Sequence, residues 1–287
     1  MKNKKIINLL VFLIAPAALL AAGLGMGPAR GLPNHYQHQS IRGENVLIYG
    51  KGLYQHMSAE VGPQGIAQDY VTFLIAVPLL IIALFWANKN SLTGRFVLAG
   101  TLAYFLVTYL FYLMMAMYNA LFLLYIFLLS ASFFAFSLTM LSFEIKTLPE
   151  KFSLQTPTKP IGVFLIINAL VIGGLWLSLV LPPLLDGSIV PPQAEHYTTL
   201  VVQGLDLALL LPLALLTGVL LFKKHSWGYF LGPTYTIFLS LMMLALTAKI
   251  IVMGLLYQNI IPAIIIIPTF LFLAVTSSVL LLRNVNE

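Results

Sequence analysis

The sequence predicts an all-α integral membrane protein, a polytopic bundle of eight transmembrane helices that forms a single domain over residues 1–287. Hydrophobic residues make up 60% of the chain and charged residues 8%, and the mean hydropathy is +0.96. A soluble domain carries about 25% charged residues, so this composition excludes one. Eight apolar runs also reach roughly 20 residues, the length that crosses a bilayer as a helix.

The first predicted span allows two interpretations. Lys2, Lys4 and Lys5 precede an apolar run that ends in small residues, as in a signal peptide. The apolar core of a signal peptide has about 7 to 15 residues, and this run is longer, which favours a retained helix. Cleavage would leave seven spans. The eight spans are predicted at residues 6–25, 70–87, 96–118, 120–142, 161–183, 199–222, 230–257 and 260–282.

Lys and Arg fall mainly in alternate connections, and this pattern predicts the orientation of the bundle. Eleven of the fifteen basic residues lie on the side of the two termini. The other side carries Arg30, Arg42 and Lys51, and Lys249 lies within a span. By the positive-inside rule, both termini are predicted to be cytoplasmic. The basic residues are scattered over short loops, so the net charge of +6 does not indicate nucleic-acid binding.

Residues 26–69 form a long connection that the topology predicts to be an external loop. Within it, His56 and Glu60 would share one face of a helix, and imidazole with carboxylate suits Zn²⁺ or Mn²⁺. The alternative interpretation is a polar surface loop without metal. His35-x-x-His38 in the same loop lacks the flanking pattern of an established metal motif, and we predict no cofactor. The chain has no Cys, which excludes thiol catalysis by its own residues.

The residues just before the second predicted span are polar. Asp69 is placed to cap the following helix by accepting from the free N–H groups of its first turn. In the alternative interpretation, Gln64, Gln68 and Asp69 form a polar entrance at the outer mouth of the bundle, because Gln64, Gln68 and Thr72 recur every four residues.

Polar side chains follow one face of the third predicted span, and a second set lies on the fourth. Hydrogen bonds between the two helices are one interpretation of this pattern. A pocket for a quinone, a lipid or a small polar solute is the other. The candidate pocket residues are Thr101, Tyr104, Thr108 and Tyr112 on the third span, Asn119 in the turn that follows, and Tyr125 and Ser132 on the fourth.

Two opposite charges lie inside neighbouring spans. At roughly 1.5 Å per residue, Asp206 and Lys249 lie about 10 to 12 Å from the same end of their helices, so antiparallel packing would bring them together. Gln203 is the polar neighbour of Asp206 on its helix face. Three interpretations remain: a static ion pair between the helices, a lysine that extends alone to the headgroups, and a functional charge.

Several short motifs carry a resemblance to a known group. They include Gly52-Leu53-Tyr54, Ala67-Gln68-Asp69, Ser91-Leu92-Thr93-Gly94-Arg95 and Gly204-Leu205-Asp206. In these motifs the chain resembles a group of bacterial multi-span membrane proteins with no assigned activity. The resemblance implies a protein of the bacterial cytoplasmic (inner) membrane and names no reaction.

The sequence leaves three functional hypotheses. It lacks nucleotide-binding, zinc-protease and serine-hydrolase motifs, and its halves do not align clearly enough to predict an internal repeat. The first hypothesis is a transporter or carrier of a small or lipophilic solute. The second is a structural or accessory subunit that packs with a membrane partner or a second copy. The third is a membrane-embedded enzyme with an external metal site.

Overall fold

A computed structural model describes residues 2–27, 34–256 and 260–287, and it confirms the all-α fold class. Eight helices of the described chain are long and apolar enough to cross a membrane. Arg30, and Tyr257 near the end of the seventh predicted span, lie outside the described residues. The helices are α1 (Lys4–Met26), α2 (Gly62–Asn88), α3 (Leu92–Met115), α4 (Phe122–Met140), α5 (Thr158–Asp186), α6 (Val201–Phe222), α7 (Ser226–Leu255) and α8 (Ala263–Arg283).

Helix α2 begins well before the span predicted at residues 70–87, and this corrects the predicted loop of residues 26–69. The helix starts at Gly62, and Pro63 suits its first turn because an N–H group there has no partner within the helix. Gln68 and Asp69 lie inside α2 and are each 2% exposed. The prediction that Asp69 caps the helix is therefore wrong. Hydropathy placed these residues in the loop because it cannot distinguish a buried polar group from a solvated one.

The described part of the long connection, residues 34–61, forms a small cover over one end of the bundle, which we call the lid. Strands β1 (Tyr36–Gln39) and β2 (Asn45–Ile48) pair antiparallel within it. The chain that follows also pairs with β2, since the Ala59 amide donates to the Leu47 carbonyl at 2.8 Å. His56 and Glu60 consequently do not lie on a helix, and the prediction that they share a helix face is wrong.

The bundle has two ends that differ in what they carry. The lid lies at one end, which we call the lid end. The two termini lie together at the other, the terminal end, where Lys4 Nζ donates to the Asn88 carbonyl and Glu287 accepts from the first residues of α3. Glu287 accepts from the Ser91 hydroxyl and from the Leu92 amide, each at 2.7 Å. It therefore caps α3 by satisfying an N–H group that has no partner within the helix.

The two halves of the bundle, α1–α4 and α5–α8, share a set of features that recur 134 residues apart. Each half has a π-helical turn in its second helix, at Thr72–Ala76 and at Asp206–Leu210. A proline follows each turn at the same distance, Pro78 in α2 and Pro212 in α6. Such turns and prolines interrupt the regular hydrogen bonds of a helix, so both halves have a break at the same place.

The connections after these broken helices match as well. Asn90 and Lys224 both adopt positive φ, and the next residues, Ser91 and His225, both cap the following helix through their side chains. A Cβ atom on Gly94 would lie 2.6 Å from the Ala87 nitrogen, and one on Gly228 would lie 2.5 Å from the Leu221 nitrogen. Only glycine fits such a close approach of two helices. The sequence alone gave no basis for predicting an internal repeat, whereas these corresponding positions indicate one.

The central helices α3 and α7 pack against each other at equivalent positions. A Cβ atom on Gly100 would lie 2.9 Å from the carbonyl oxygen of Thr234, the residue 134 positions later. Both helices start at the terminal end, so they run in the same direction. Contact between equivalent residues of parallel helices indicates an approximate two-fold axis along the bundle.

Candidate functional site

A cluster of buried polar side chains lies in the lid-end half of the first repeat, between α2 and α3. It is centred on Asp69, one turn before the π-helical turn of α2. We call it the Asp69 cluster. Its members are Tyr54 of the lid, Gln68, Asp69 and Thr72 of α2, and Tyr104, Thr108 and Tyr112 of α3.

Both carboxylate oxygens of Asp69 accept hydrogen bonds from tyrosines. The Tyr54 hydroxyl donates to Oδ2 at 2.5 Å, and the Tyr112 hydroxyl donates to Oδ1 at 2.9 Å. Burial, with the nearby charge of Asp69, raises the pKa of Tyr54 well above its usual value, so its hydroxyl remains a donor. On the remaining side, a Cβ atom on Gly25 of α1 would overlap the carboxylate. Asp69 is therefore enclosed by the lid, by α3 and by α1.

A second hydrogen-bonded chain extends from Gln68. Its Nε2 donates to the Tyr104 hydroxyl at 2.8 Å and to the Thr108 hydroxyl at 3.2 Å, and Thr72 Oγ1 lies 2.8 Å from the Tyr104 hydroxyl. The Gln68 Oε1 atom is buried and has no hydrogen-bond partner in the described chain. These side chains of α2 and α3 are thus joined across the helix interface, and each of them can both donate and accept hydrogen bonds.

Aromatic rings surround the carboxylate side of this cluster. The Tyr112 ring lies 6.2 Å from Tyr54, 6.0 Å from Tyr109 and 5.4 Å from Tyr125, measured between centroids. The Tyr125 hydroxyl, and Ser132 Oγ further along α4, are buried without a hydrogen-bond partner among the residues described. Buried polar atoms of native structures usually have a hydrogen-bond partner, so these two atoms are candidate ligand contacts.

The residues of the predicted polar pocket on α3 and α4 lie in different environments in the structure. Tyr104, Thr108 and Tyr112 belong to the Asp69 cluster, whereas Thr101 donates to the Val97 carbonyl of its own helix. Asn119 lies in the turn after α3, where its Oδ1 accepts from the Leu121 amide. A cavity of about 640 Å³ does lie beside α3, but along its opposite face. The tyrosine face of α3 is buried and does not line that cavity.

The three residues of the predicted outer mouth also lie in different environments. Gln68 and Asp69 are buried in the cluster, but Gln64 is partly exposed and donates to the Glu60 carbonyl at 3.1 Å. Gln64 therefore lies one turn above the buried group, at the lid end.

Asp206 lies at the break of the second repeat, and its hydrogen-bond donor is a tryptophan. Trp176 Nε1 on α5 donates to Asp206 Oδ2 at 2.8 Å. Lys249 on α7 interacts with Asp206 through charge and also with Asp69, although neither carboxylate accepts a hydrogen bond from it in the described chain. Gln203, one turn before Asp206, is partly exposed. The sequence predicted one charge pair, and in the described chain the charge of Lys249 acts at longer range on two carboxylates, one from each half, without forming a contact ion pair.

The lid end has its own polar contacts, and these join the two halves. Arg42 at the β1–β2 turn donates to the carbonyls of Glu195 and Tyr197, in the connection between α5 and α6. His196 contacts the His56 carbonyl through Nε2 at 2.9 Å, and burial lowers the pKa of its imidazole. Burial also raises the pKa of Glu195. No group of three His, Asp or Glu residues suited to a metal occurs in the residues described.

The residues that sequence reasoning missed are Tyr54, Tyr109 and Trp176. Tyr54 lay in a loop of undefined structure, Tyr109 lay outside the polar face of the third predicted span, and Trp176 lay in an apolar run. A carboxylate within the bundle needs hydrogen-bond donors, and the tyrosines and tryptophans of the neighbouring spans were the residues that could supply them to Asp69 and Asp206. Comparison with models of protein families, with curated proteins and with solved structures gives no match.

Proposed function

We propose that this integral membrane protein is a carrier of a small or lipophilic solute whose transport is linked to proton binding. The observation that carries this proposal is the pair of broken helices at equivalent positions of the two halves. Asp206 starts the break in α6, Asp69 lies one turn before the break in α2, and Lys249 interacts with both. Carriers with repeated halves commonly form their binding sites where paired helices are interrupted.

The chemistry of the two acids supports a proton-linked mechanism. Ionisable groups within a membrane are costly and are retained mainly where they act. Each carboxylate is held by neutral donors, two tyrosines for Asp69 and one tryptophan for Asp206. Protonation of one carboxylate would remove its attraction for Lys249 and leave the other carboxylate as the main partner of the lysine. A proton would in this way alter the electrostatic balance between the halves.

The burial of the Asp69 cluster fits a closed state of such a carrier. Movement of the halves about the contact of Gly100 with Thr234 would open the cluster to one face or the other. The cluster itself binds the proton, and a proton needs no preformed cavity. The solute would then move between the halves rather than between α3 and α4.

The test uses the absence of Cys from the chain, which allows single-cysteine variants without background labelling. Thr72→Cys places a thiol in the cluster, and Thr217→Cys places one at an equally buried position of α6 outside it. Right-side-out and inverted vesicles are treated with a membrane-impermeant maleimide at pH 5.5 and pH 8. We expect Thr72→Cys to react from one face at one pH and from the opposite face at the other, while Thr217→Cys remains unreactive.

An accessory or structural subunit is the second candidate, and the dense packing of the tyrosines favours it. In that case Thr72→Cys reacts no faster than Thr217→Cys from either face at either pH, which contradicts a carrier. Purification in mild detergent would then recover the chain with a stable membrane partner or as a homo-oligomer.

We further propose a bacterial cytoplasmic membrane with both termini in the cytoplasm. The excess of Lys and Arg at the terminal end supports this orientation. Packing of α1 against α2 and α4 supports a retained first span. Fusion of alkaline phosphatase after Ser188 is expected to be active, and the same fusion after Gln155 inactive. The reverse result would contradict the orientation, and a mature N-terminus beyond residue 23 would contradict the retained span.

A further inference from the structure

The cavity of about 640 Å³ lies between the two halves, on the side of α3 opposite the Asp69 cluster. It is bounded by α3, α4, α6 and α7. Among its lining residues only Ser130, Thr234 and Tyr235 carry hydroxyl groups, and Tyr235 already donates to the Leu210 carbonyl at 2.9 Å. The cavity is therefore suited to an apolar occupant, and we call it the interhalf groove.

The groove opens towards the lipid. Its rim residues Phe133 and Leu209 are 50% and 54% exposed, although they lie in membrane-spanning helices. Along α4 the lining extends from Ile126 to Met140, which is about 21 Å at 1.5 Å per residue and reaches the end of that helix at the terminal end. The hydrocarbon of one leaflet is about half of 30 Å thick, so the groove is long enough for one acyl chain.

A cation lies near the terminal end of the groove. Arg95 shares the groove-lining side of α3, since the positions 95, 99, 103, 106 and 110 recur at helical spacing. Its guanidinium lies 5.3 Å from the centre of the Phe143 ring, and its Nη1 donates to the Ser142 carbonyl at 3.2 Å. These two residues closely follow Met140, which lines the groove.

Arg95 also keeps unused hydrogen-bonding capacity. Its Nε atom is buried and has no hydrogen-bond partner in the described chain. Glu144 and Glu287 act on it through charge, but Glu287 uses its oxygens for the start of α3. A guanidinium has five N–H donors and binds phosphate well.

We propose that the interhalf groove binds one anionic phospholipid, with an acyl chain between α3 and α4 and the phosphate at Arg95. The charge of Arg95 selects the headgroup, and the apolar lining accepts the chain. The site lies on the opposite face of α3 from the Asp69 cluster, and its test measures lipid retention, a readout that does not involve transport.

Native mass spectrometry of the purified chain tests this site, with phosphatidylglycerol and phosphatidylcholine of identical acyl chains as probes. We expect the wild-type chain to retain phosphatidylglycerol about tenfold more strongly, the ratio that corresponds to about 1.4 kcal/mol. Arg95→Gln should abolish the preference, and Arg95→Lys should keep most of it. Lys223→Gln removes an exposed charge at the same end of the bundle, away from the groove, and should leave the preference unchanged.

A groove-filling variant gives an independent readout if Arg95→Gln does not fold. Ala103→Phe occupies the lining on α3 and should lower retention of phosphatidylglycerol at least threefold while the chain remains monodisperse. Equal retention of the two lipids by the wild-type chain would overturn the proposal. It would also be overturned if Lys223→Gln reduced the preference as much as Arg95→Gln.

Discussion

The hydroxyl of Tyr112 gives a quantitative test of the Asp69 cluster. Tyr112→Phe keeps the ring and its aromatic contacts but removes the donor to Asp69 Oδ1 at 2.9 Å and to the Gly65 carbonyl at 3.1 Å. A hydrogen bond to a charged group contributes about 1.5–3 kcal/mol in soluble proteins. Hydrogen bonds between membrane helices average about 0.6 kcal/mol and reach about 1.7 kcal/mol. We expect the free energy of unfolding to fall by about 1–2 kcal/mol.

The measurement is reversible unfolding in lipid bicelles, with Tyr118→Phe as the control. Tyr118 is 77% exposed in the turn after α3, so loss of its hydroxyl should change the unfolding free energy by less than about 0.5 kcal/mol. A double-mutant cycle of Tyr112→Phe with Asp69→Ala then isolates the coupling of the two side chains. We expect a coupling of about 1 kcal/mol.

Two results would refute this reasoning. One is a loss for Tyr112→Phe no larger than for Tyr118→Phe, which would mean that the hydroxyl forms no stabilising bond in the membrane. The other is additivity of Tyr112→Phe and Asp69→Ala, which would mean that the tyrosine and the carboxylate do not interact.

Three further predictions concern the surroundings of the cluster. Gly25→Ala places a methyl group against the Asp69 carboxylate and should lower the unfolding free energy by about 1–3 kcal/mol, while Gly23→Ala, whose Cβ atom would lie 3.8 Å from its neighbour, should have little effect. Burial alone would raise the pKa of Glu287, but its hydrogen bonds to the start of α3 outweigh burial and lower that pKa. Glu287 therefore stabilises the fold fully above the unfolded pKa of about 4.3, and this contribution is lost as the pH falls through the lower folded pKa. Glu287→Gln should eliminate this pH-dependent loss when the free energy of unfolding is measured against pH. Arg42→Ala should increase amide hydrogen exchange in residues 34–61, and unchanged exchange would show that Arg42 does not hold the lid.

The membrane bundle could be predicted because hydropathy integrates over whole helices. Seven of the eight helices begin within a few residues of their predicted starts. The predicted start of α2 was wrong because Gln64, Gln68 and Asp69 lower the local hydropathy. Their burial depends on tyrosines that are distant in sequence, such as Tyr112 at 43 positions from Asp69. A local signal cannot contain that information.

The internal repeat could not be predicted for a different reason. Apolar side chains in membrane helices exchange freely, so the matching positions are few and lie where the backbone is constrained. Pro78 with Pro212 and Gly94 with Gly228 are identical residues at the same spacing, but Ser91 and His225 cap their helices with different chemistry. The repeat is conserved in backbone geometry more than in sequence, and it becomes visible only once the breaks and caps are placed.

The differences between the halves matter more for function than their likeness. The break of α2 carries Thr72 where that of α6 carries Asp206, so the two acids occupy non-equivalent positions. Lys249 likewise corresponds to Met115, so α7 has an internal charge at a position where α3 has none. A two-fold arrangement with one lysine and two carboxylates cannot be electrostatically symmetric, because the lysine must divide its attraction between a tyrosine-bound and a tryptophan-bound acid. If this asymmetry drives the carrier, Lys249→Met should abolish the pH dependence of Thr72→Cys labelling while leaving Thr217→Cys unreactive. A pH dependence that persists in Lys249→Met would mean that the two halves respond to protons independently of the lysine.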